Sequence, residues 1–432
     1  MAFILLSIAF RNPLTAVIGN YANFLGGGLT ALAFIVFSYR AVLKKLASPA
    51  VFHSKPNMPV ELFLLLSFII YLSAILLIYI PFVEQPLFLL LGFISFGNFI
   101  LLFFMIYFFA KKNNIDVLIK TLISITILLS LFGILQTILD VPFGHIPVQR
   151  FSFISIYPMR LSSTTGSALH LAVFIALLFP VIMNLAVHQK LTRSRIGLAT
   201  LMAAMLFVLL GTQSRGAIIQ LFISTGALLI VSRELRGYIK KRWPILAIIL
   251  AFMIIAFPAS IKTDIVKRVS STLDFQHDVG NRLRVEHWNE TIKNWRPNEN
   301  FAAFLFGKGL GTTGNIVKYF GYDPFITESY VLKILFEIGL VGLLLFSLFY
   351  AAFLAIGFNV SMNLRAQSAY RIIVQGVFAA LIGLACELFI LQILDGPLIA
   401  AVFYIYISIL SWVKRHERLL SREGTNVLNP TS

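Results

Sequence analysis

The sequence predicts an all-α fold, a polytopic transmembrane helical bundle, on three observations. Its apolar residues fall in blocks of roughly 20, the length a helix needs to cross the hydrocarbon core of a bilayer. Only 12% of its residues are charged, about half of the ~25% usual in a soluble domain. Its basic residues gather in segments that alternate along the order of those apolar blocks, the pattern by which cytoplasmic loops are recognised. In lipid only helices and closed barrels satisfy every backbone polar group, and unbroken apolar runs exclude the period-two alternation of a barrel.

Spans are predicted near 14–39, 58–80, 87–109, 115–138, 166–188, 196–211, 216–232, 244–260, 328–357, 372–393 and 398–412, with residues 1–10 long enough for part of a twelfth. Segments 40–57, 110–120, 189–195, 233–243, 358–371 and the tail from 413 hold 21 of the 35 Lys and Arg. They alternate without exception, so they are expected to share the cytoplasmic side, with the C-terminus. Nine more basic residues lie in 261–326, and long segments translocate largely regardless of charge. The net charge of +17 is therefore read as topology and contact with anionic lipid, with no nucleic-acid partner. Arg11 follows the first apolar run instead of preceding it, so a cleavable signal is not expected. The single cysteine, Cys386, sits inside an apolar run and excludes a disulfide framework or a cysteine metal site.

Two external connections, 139–165 and 261–326, are far longer than the rest, and long ordered loops in compact proteins tend to carry function. The predicted organisation is an N-terminal transmembrane bundle (1–260), a large external loop (261–327), and C-terminal transmembrane helices with a cytoplasmic tail (328–432).

Four stretches carry candidate chemistry. In GTQSRGAIIQL (Gly211 to Leu221), Arg215 opens a span from the external side. A helix start attracts anions through its free N–H groups and dipole, and a guanidinium there makes a phosphate clamp. Gly211 and Gly216 would let a headgroup approach the backbone. The plainer reading is a snorkelling arginine at the interface. GNRLRVEHWNETIKNW (Gly280 to Trp295) reads as an amphipathic helix with Val285, Trp288, Ile292 and Trp295 on one face. It would lie in the interface, tryptophans down, with Arg282 and Arg284 at phosphate depth, or serve only as a surface anchor. FGKGLGTTGN (Phe306 to Asn315) suggests a tight turn that approaches a ligand through Lys308. It lacks the Ser or Thr after lysine that a Walker A loop requires. In ITESYVLKILFEIGLVGLLLF (Ile326 to Phe346), Glu328 and Tyr330 stand at the mouth of a span. Ser329, Lys333 and Glu337 share one helical face, where Lys333 and Glu337 either neutralise each other or join Glu387 and Asp395 in an interior network. No cluster has metal-ligand spacing, and His277 and His287, ten residues apart, are weak evidence for a metal.

Arg215, Arg282, Arg284, Lys308 and Glu328 all fall on the external side. One carboxylate among cations suits a base beside a diphosphate leaving group.

In order, side and spacing these motifs resemble the O-antigen ligase/polymerase superfamily. They are Ser214-Arg215-Gly216 at a span start, Arg284 to Trp288, the glycines 307, 309 and 311, and Glu337-Ile338-Gly339-Leu340-Val341-Gly342 after the large loop, spanning roughly 196–346. The resemblance implies a GT-C-like glycosyltransferase of the bacterial inner membrane with a periplasmic site, no cofactor and no metal. Its donor and acceptor would be glycans on undecaprenyl diphosphate, with room for a chain-length regulator as partner. Arg215 and Arg284 would hold the diphosphate, Glu328 would activate the acceptor hydroxyl, and Arg282, Lys308, Trp288, Tyr330 and Lys333 would line the substrate site. The ligase branch carries a histidine in an H-N-x-Y-L pattern where this chain has Thr327-Glu328-Ser329-Tyr330-Val331-Leu332. That departure favours a Wzy-type O-antigen or exopolysaccharide polymerase over a ligase acting on lipid A–core. A cell-wall polymerase of the shape, elongation and division family would need a loop aspartate such as Asp264, Asp274, Asp278 or Asp323, but the surrounding motifs differ. A lipid-linked-oligosaccharide flippase would spread polar groups through the midplane, whereas here they gather at one face.

Overall fold

The computed structural model describes residues 59–80, 86–97, 99–139, 161–165, 167–189, 191–241, 279–296, 301–313, 325–364 and 369–426. Helices α1 (Val60–Tyr79), α2 (Pro86–Gly97), α3 (Ile100–Phe109), α4 (Lys112–Leu139), α5 (Ala168–His188), α6 (Thr192–Thr212) and α7 (Arg215–Val231) come first. They are followed by α8 (Arg233–Lys241), α9 (Val279–Trp295), α10 (Phe301–Phe306), α11 (Tyr330–Asn363), α12 (Ala369–Ile390) and α13 (Pro397–Asn426). Among the described residues there is no strand, only an isolated bridge between Thr313 and Phe325. Seven helices are long and apolar enough to cross a membrane, or eight if α7 and α8, bent by 109°, count as one span. The chain is thus an all-α, multi-pass membrane protein. The spans predicted near 14–39 and 244–260, and residues 140–160 of the loop predicted at 139–165, lie outside the described residues.

Helices α5, α12 and α13 form the centre of the bundle, enclosed on nearly every side. The predicted span 87–109 is two helices, α2 and α3, parted after Gly97. Two polar residues in sequence, Gly97-Asn98, interrupt an otherwise apolar run there, and glycine weakens a helix interior by about 1 kcal/mol relative to alanine.

Helix ends group as the basic segments require. Lys414, near the end of the apolar part of α13, pairs with Glu61 at the start of α1, 3.1 Å apart. The Tyr370 hydroxyl, at the start of α12, donates to Asp116 at the start of α4. Arg371 pairs with Glu234 beyond α7. Asn184 near the end of α5 donates to the Ile372 carbonyl at 2.8 Å and accepts from Ser232. Four of the six segments that carry most of the basic residues, 110–120, 233–243, 358–371 and the tail from 413, are thus tied together at one end of the bundle; segment 40–57 lies outside the described residues. At the other end, Gln136 near the end of α4 accepts from the backbone N–H groups of Ser162 and Ser163.

Helix α11 positions the site. Its 34 residues would span ~51 Å if straight, well beyond the ~30 Å core. It is broken at Gly339, whose φ is +70°. A break inside a span exposes carbonyls that lipid cannot satisfy, and here three carbonyls before the break find donors. Phe336 accepts from the Lys308 N–H at 2.8 Å, Glu337 from the Gly309 N–H at 3.0 Å, and Ile338 from the Tyr71 hydroxyl at 2.6 Å. The Glu337 side chain then accepts from the Thr313 N–H at 2.9 Å and the Thr313 hydroxyl at 2.5 Å, and the Tyr79 hydroxyl donates to the Gly307 carbonyl. The tight turn expected of these glycines is there, and it serves as a latch on this break.

Gly307 (φ +85°) and Gly339 are required both by conformation and by space. A Cβ on Gly307 would stand 2.3 Å from the Glu337 carbonyl oxygen, and one on Gly339 2.3 Å from that of Leu305. Gly307→Ala and Gly339→Ala are each expected to lose most of the folded protein, since backbone strain alone costs about 1–3 kcal/mol and the clash adds to it. Gly226→Ala, with nothing within 4 Å of the new atom, should be silent. Monodisperse yield and thermal midpoint in detergent would check this, and a wild-type midpoint for Gly307→Ala would contradict the latch.

Candidate functional site

The site is built where the start of α7, one face of α9, the approach to α11 and the end of α12 meet. Helices α6 and α7 are joined by a tight turn in which Gln213 caps α6 in the left-handed conformation (φ +54°) and Ser214 precedes α7 in an extended one. Arg215 is thereby the first residue of α7, and its guanidinium donates to Asn281 Oδ1 at 3.2 Å. Gly216 follows, and the Glu387 carboxylate occupies the space beside it: a Cβ there would meet both carboxylate oxygens at 2.6 Å and displace them. Gly211 is packed in the same way on Leu161. These two glycines serve helix packing and not, as the sequence suggested, the approach of a headgroup.

Helix α9 forms as expected, but its buried face differs. Asn281 and Thr291 are buried, and Arg284, His287, Trp288 and Trp295 are half-buried. Leu283, Val285 and Ile292 are exposed. The inward stripe runs 281, 284, 288, 291 and 295, a helical period shifted from the 285–288–292–295 stripe read from hydrophobicity. The protein-facing stripe is held by polar contacts, Asn281 to Arg215 and Arg284 to Glu328, while Val285 and Ile292, on the face the sequence assigned to the membrane interface, stay outside it. The two arginines part company: Arg282 turns outward to Glu286 at 3.9 Å, both well exposed, while Arg284 turns inward.

Glu328 sits just ahead of α11, whose first turn is capped by Ser329 accepting from the Leu332 N–H. Its φ is +57°, uncommon for a residue other than glycine, and strain of this kind collects at functional sites. Arg284 Nε lies 3.7 Å from one carboxylate oxygen and His287 Nδ1 3.8 Å from the other. The Arg284 and Glu328 side chains keep 27% and 29% exposure, so the pair can be reached from outside the bundle. On the inner side, Arg284 is close enough for its charge to act on Glu387. Glu387 is fully buried and neither of its oxygens has a hydrogen-bond partner among the described residues.

Gln213 Oε1, Ser214 Oγ, His287 Nδ1, Trp288 Nε1 and both Glu387 oxygens are buried without a partner among the described residues. An unsatisfied buried polar atom costs about 1–3 kcal/mol, so a concentration of them on three neighbouring segments marks a place prepared for polar ligand atoms. Two guanidiniums beside a helix start can bind an anion, and the flanked carboxylate can take a proton.

Other candidates lie elsewhere. Lys308 is exposed, its Nζ 5.0 Å from the Phe336 ring centre. Tyr330 is buried between the Phe96 and Phe346 rings. Lys333, fully buried, pairs with Asp395 at 2.6 Å, while Glu337 turns to Thr313. Of the interior network expected of Lys333, Glu337, Glu387 and Asp395, the first two and Asp395 interact electrostatically with one another, while Glu387 lies apart beside Arg284. Asn281 is not legible in the sequence as a site residue, Glu387 is legible there only as a member of an interior network, and His287 stands out only as a weak metal candidate. Its place three residues after Arg284, on the same helical face, is the available signal. Among the described residues no group of three or more His, Cys, Asp or Glu could hold a metal ion.

Residues 200–347 match the family model described as O-antigen ligase. The match runs from α6 past the break in α11, so it contains Arg215, Arg284, His287, Glu328 and the glycine latch, but not Glu387. A search of curated proteins returns no match.

Proposed function

We propose that this chain, whose residues 200–347 match the family model described as O-antigen ligase, is a membrane glycosyltransferase of the O-antigen ligase/polymerase kind that polymerises oligosaccharide repeat units carried on undecaprenyl diphosphate. The observation that supports this reading most is the bracketing of Glu328 by Arg284 and His287, with Arg215 tied to the same helix through Asn281. In the proposed mechanism Arg215 and Arg284 bind the donor's diphosphate at the start of α7, where the guanidinium fork and the helix dipole act together. Glu328 accepts the proton of the acceptor hydroxyl as its oxygen attacks the anomeric carbon. Undecaprenyl diphosphate leaves, its new charge held by the same arginines.

A ligase reading stands beside it because the matched family carries that description. The carboxylate at 328, in place of the histidine of the ligase-like pattern, favours the polymerase. Purified protein given undecaprenyl-diphosphate-linked repeat units, with and without lipid A–core, separates the two. A ladder of longer lipid-linked glycans without lipid A–core is the expected result, and glycan appearing only on lipid A–core would overturn the polymerase.

The basic end of the bundle is proposed to face the cytoplasm and the site the periplasm of a bacterial inner membrane. Single cysteines at Asn298 and Arg422 should label from outside and inside intact spheroplasts respectively. Labelling of Asn298→Cys only after the membrane is permeabilised would reverse the orientation.

A further inference from the structure

We infer that His287 is a second proton-handling residue of this site, taking the acceptor's proton from Glu328 and passing it out of the bundle. The inference rests on the reading of Glu328 as the base and adds the route by which that base is reset.

Arg284 and His287 are three residues apart on α9 and project from one face. Their ring and guanidinium nitrogens divide the carboxylate between them: Arg284 Nε stands 3.7 Å from Oε2 and His287 Nδ1 3.8 Å from Oε1. A guanidinium is always protonated and cannot take a proton. A neutral imidazole can, and it is the side chain suited to shuttling one at ordinary pH. Nδ1 is buried and has no hydrogen-bond partner among the described residues, so it is not committed to another group. A contraction of under ~1 Å brings it within hydrogen-bond reach of Oε1, and such contacts tighten when substrate binds. The side chain as a whole is 29% exposed although Nδ1 is buried, so the exposure belongs to other atoms of the ring. The buried nitrogen faces the base while the rest of the ring reaches outward.

The step balances as a proton transfer within glycosyl transfer. The acceptor oxygen bonds to the anomeric carbon, the bond from that carbon to the diphosphate oxygen breaks, and its electron pair leaves on undecaprenyl diphosphate. The hydroxyl proton passes to Glu328 Oε1, then to Nδ1 of a neutral His287 carrying its own proton on Nε2. The imidazolium releases the Nε2 proton to water, and rotation of the ring about Cβ–Cγ carries Nδ1–H outward, where loss of that proton to water and uptake of one from water at Nε2 restore the starting tautomer. An enzyme that repeats the addition many times on one chain must restore its carboxylate at each cycle, and His287 does so without opening the site.

The test uses full-length detergent-purified protein and undecaprenyl-diphosphate-linked repeat units extracted from cells lacking this chain. In His287→Asn the amide nitrogen takes the place of Nδ1 and keeps a polar neighbour for Glu328, but it cannot accept the proton. We expect kcat to fall by about tenfold or more, below the 10²–10⁴ typical of losing the base itself, with KM for the lipid-linked donor within about twofold of wild type. His287→Ala should lose at least as much and recover part of it in added imidazole, which a merely structural histidine would not do. Wild-type kcat in His287→Asn, or a loss confined to KM, overturns the relay, as does a His287→Ala protein that is folded and slow but indifferent to imidazole. Glu328→Gln assayed in parallel keeps the two readings apart. If that variant is inactive while His287→Asn is normal, the relay alone fails; if Glu328→Gln is fully active, the base reading fails and the relay with it.

Discussion

Purified Glu328→Gln protein should insert and extract like wild type, bind lipid-linked donor, and elongate glycan about 10²–10⁴-fold more slowly. Glutamine keeps the length and hydrogen-bonding capacity of the side chain and leaves the φ of +57° as it is, so the backbone strain is common to both proteins. What is removed is the proton acceptor and the negative charge opposite Arg284, 3.7 Å away. If Glu328 only neutralises Arg284, the amide leaves turnover nearly intact, because a part-exposed ion pair is typically worth about 0–1 kcal/mol. The measurement is polymer formed per enzyme from lipid-linked repeat units, with donor binding measured separately. A rate near that of wild type removes Glu328 as base while leaving the arginines untouched. Glu328→His asks a different question: partial activity there would mean that an imidazole can activate the acceptor from this position, as the ligase-like pattern implies.

Arg284→Ala should lower kcat/KM for the donor by about 10²–10³-fold, the loss typical when one group that stabilises developing negative charge is deleted. Arg284→Lys should recover little of it, because a point charge on a flexible stem replaces a planar fork that binds two phosphate oxygens at once. Arg215→Ala is expected to fall in the same range. Arg215 holds Asn281 at 3.2 Å, however, so its loss also loosens α9 and should raise KM as well as lower kcat. Asn281→Ala gives the part of that effect that comes from positioning alone. Because Arg284 and Glu328 share one ion pair, the two substitutions should not be additive, and the double variant should be no worse than the poorer single one by more than a few fold. Polymer of normal length and amount from both Arg→Ala variants would remove the diphosphate site from this place in the fold.

The bundle is legible in the amino-acid sequence because lipid imposes a one-dimensional rule. A segment of about 20 apolar residues must be a helix, and the basic residues beside it state which ends lie together. The contacts between Lys414 and Glu61, Tyr370 and Asp116, and Arg371 and Glu234 follow that grouping. Arg215 and Glu328 are legible as well, as charges at the ends of spans where burial is costly, and Arg284 as a cation at phosphate depth on an amphipathic helix. The sequence alone thus determined the class of fold, the sharing of helix ends and three members of the candidate site. It could not assign polar partners, because a hydrogen bond across the bundle has no sequence period. Whether Glu337 pairs with Lys333 four residues away or with Thr313 across the latch, whether Glu387 joins that group or lies against Gly216, and which face of α9 turns inward depend on which helices cross, and where. Tertiary structure decided these, along with the break at Gly339, because glycines 216, 307 and 339 let backbone and carboxylate approach where any Cβ would stand about 2.3–2.6 Å from another atom, and only the crossing of two segments creates that demand.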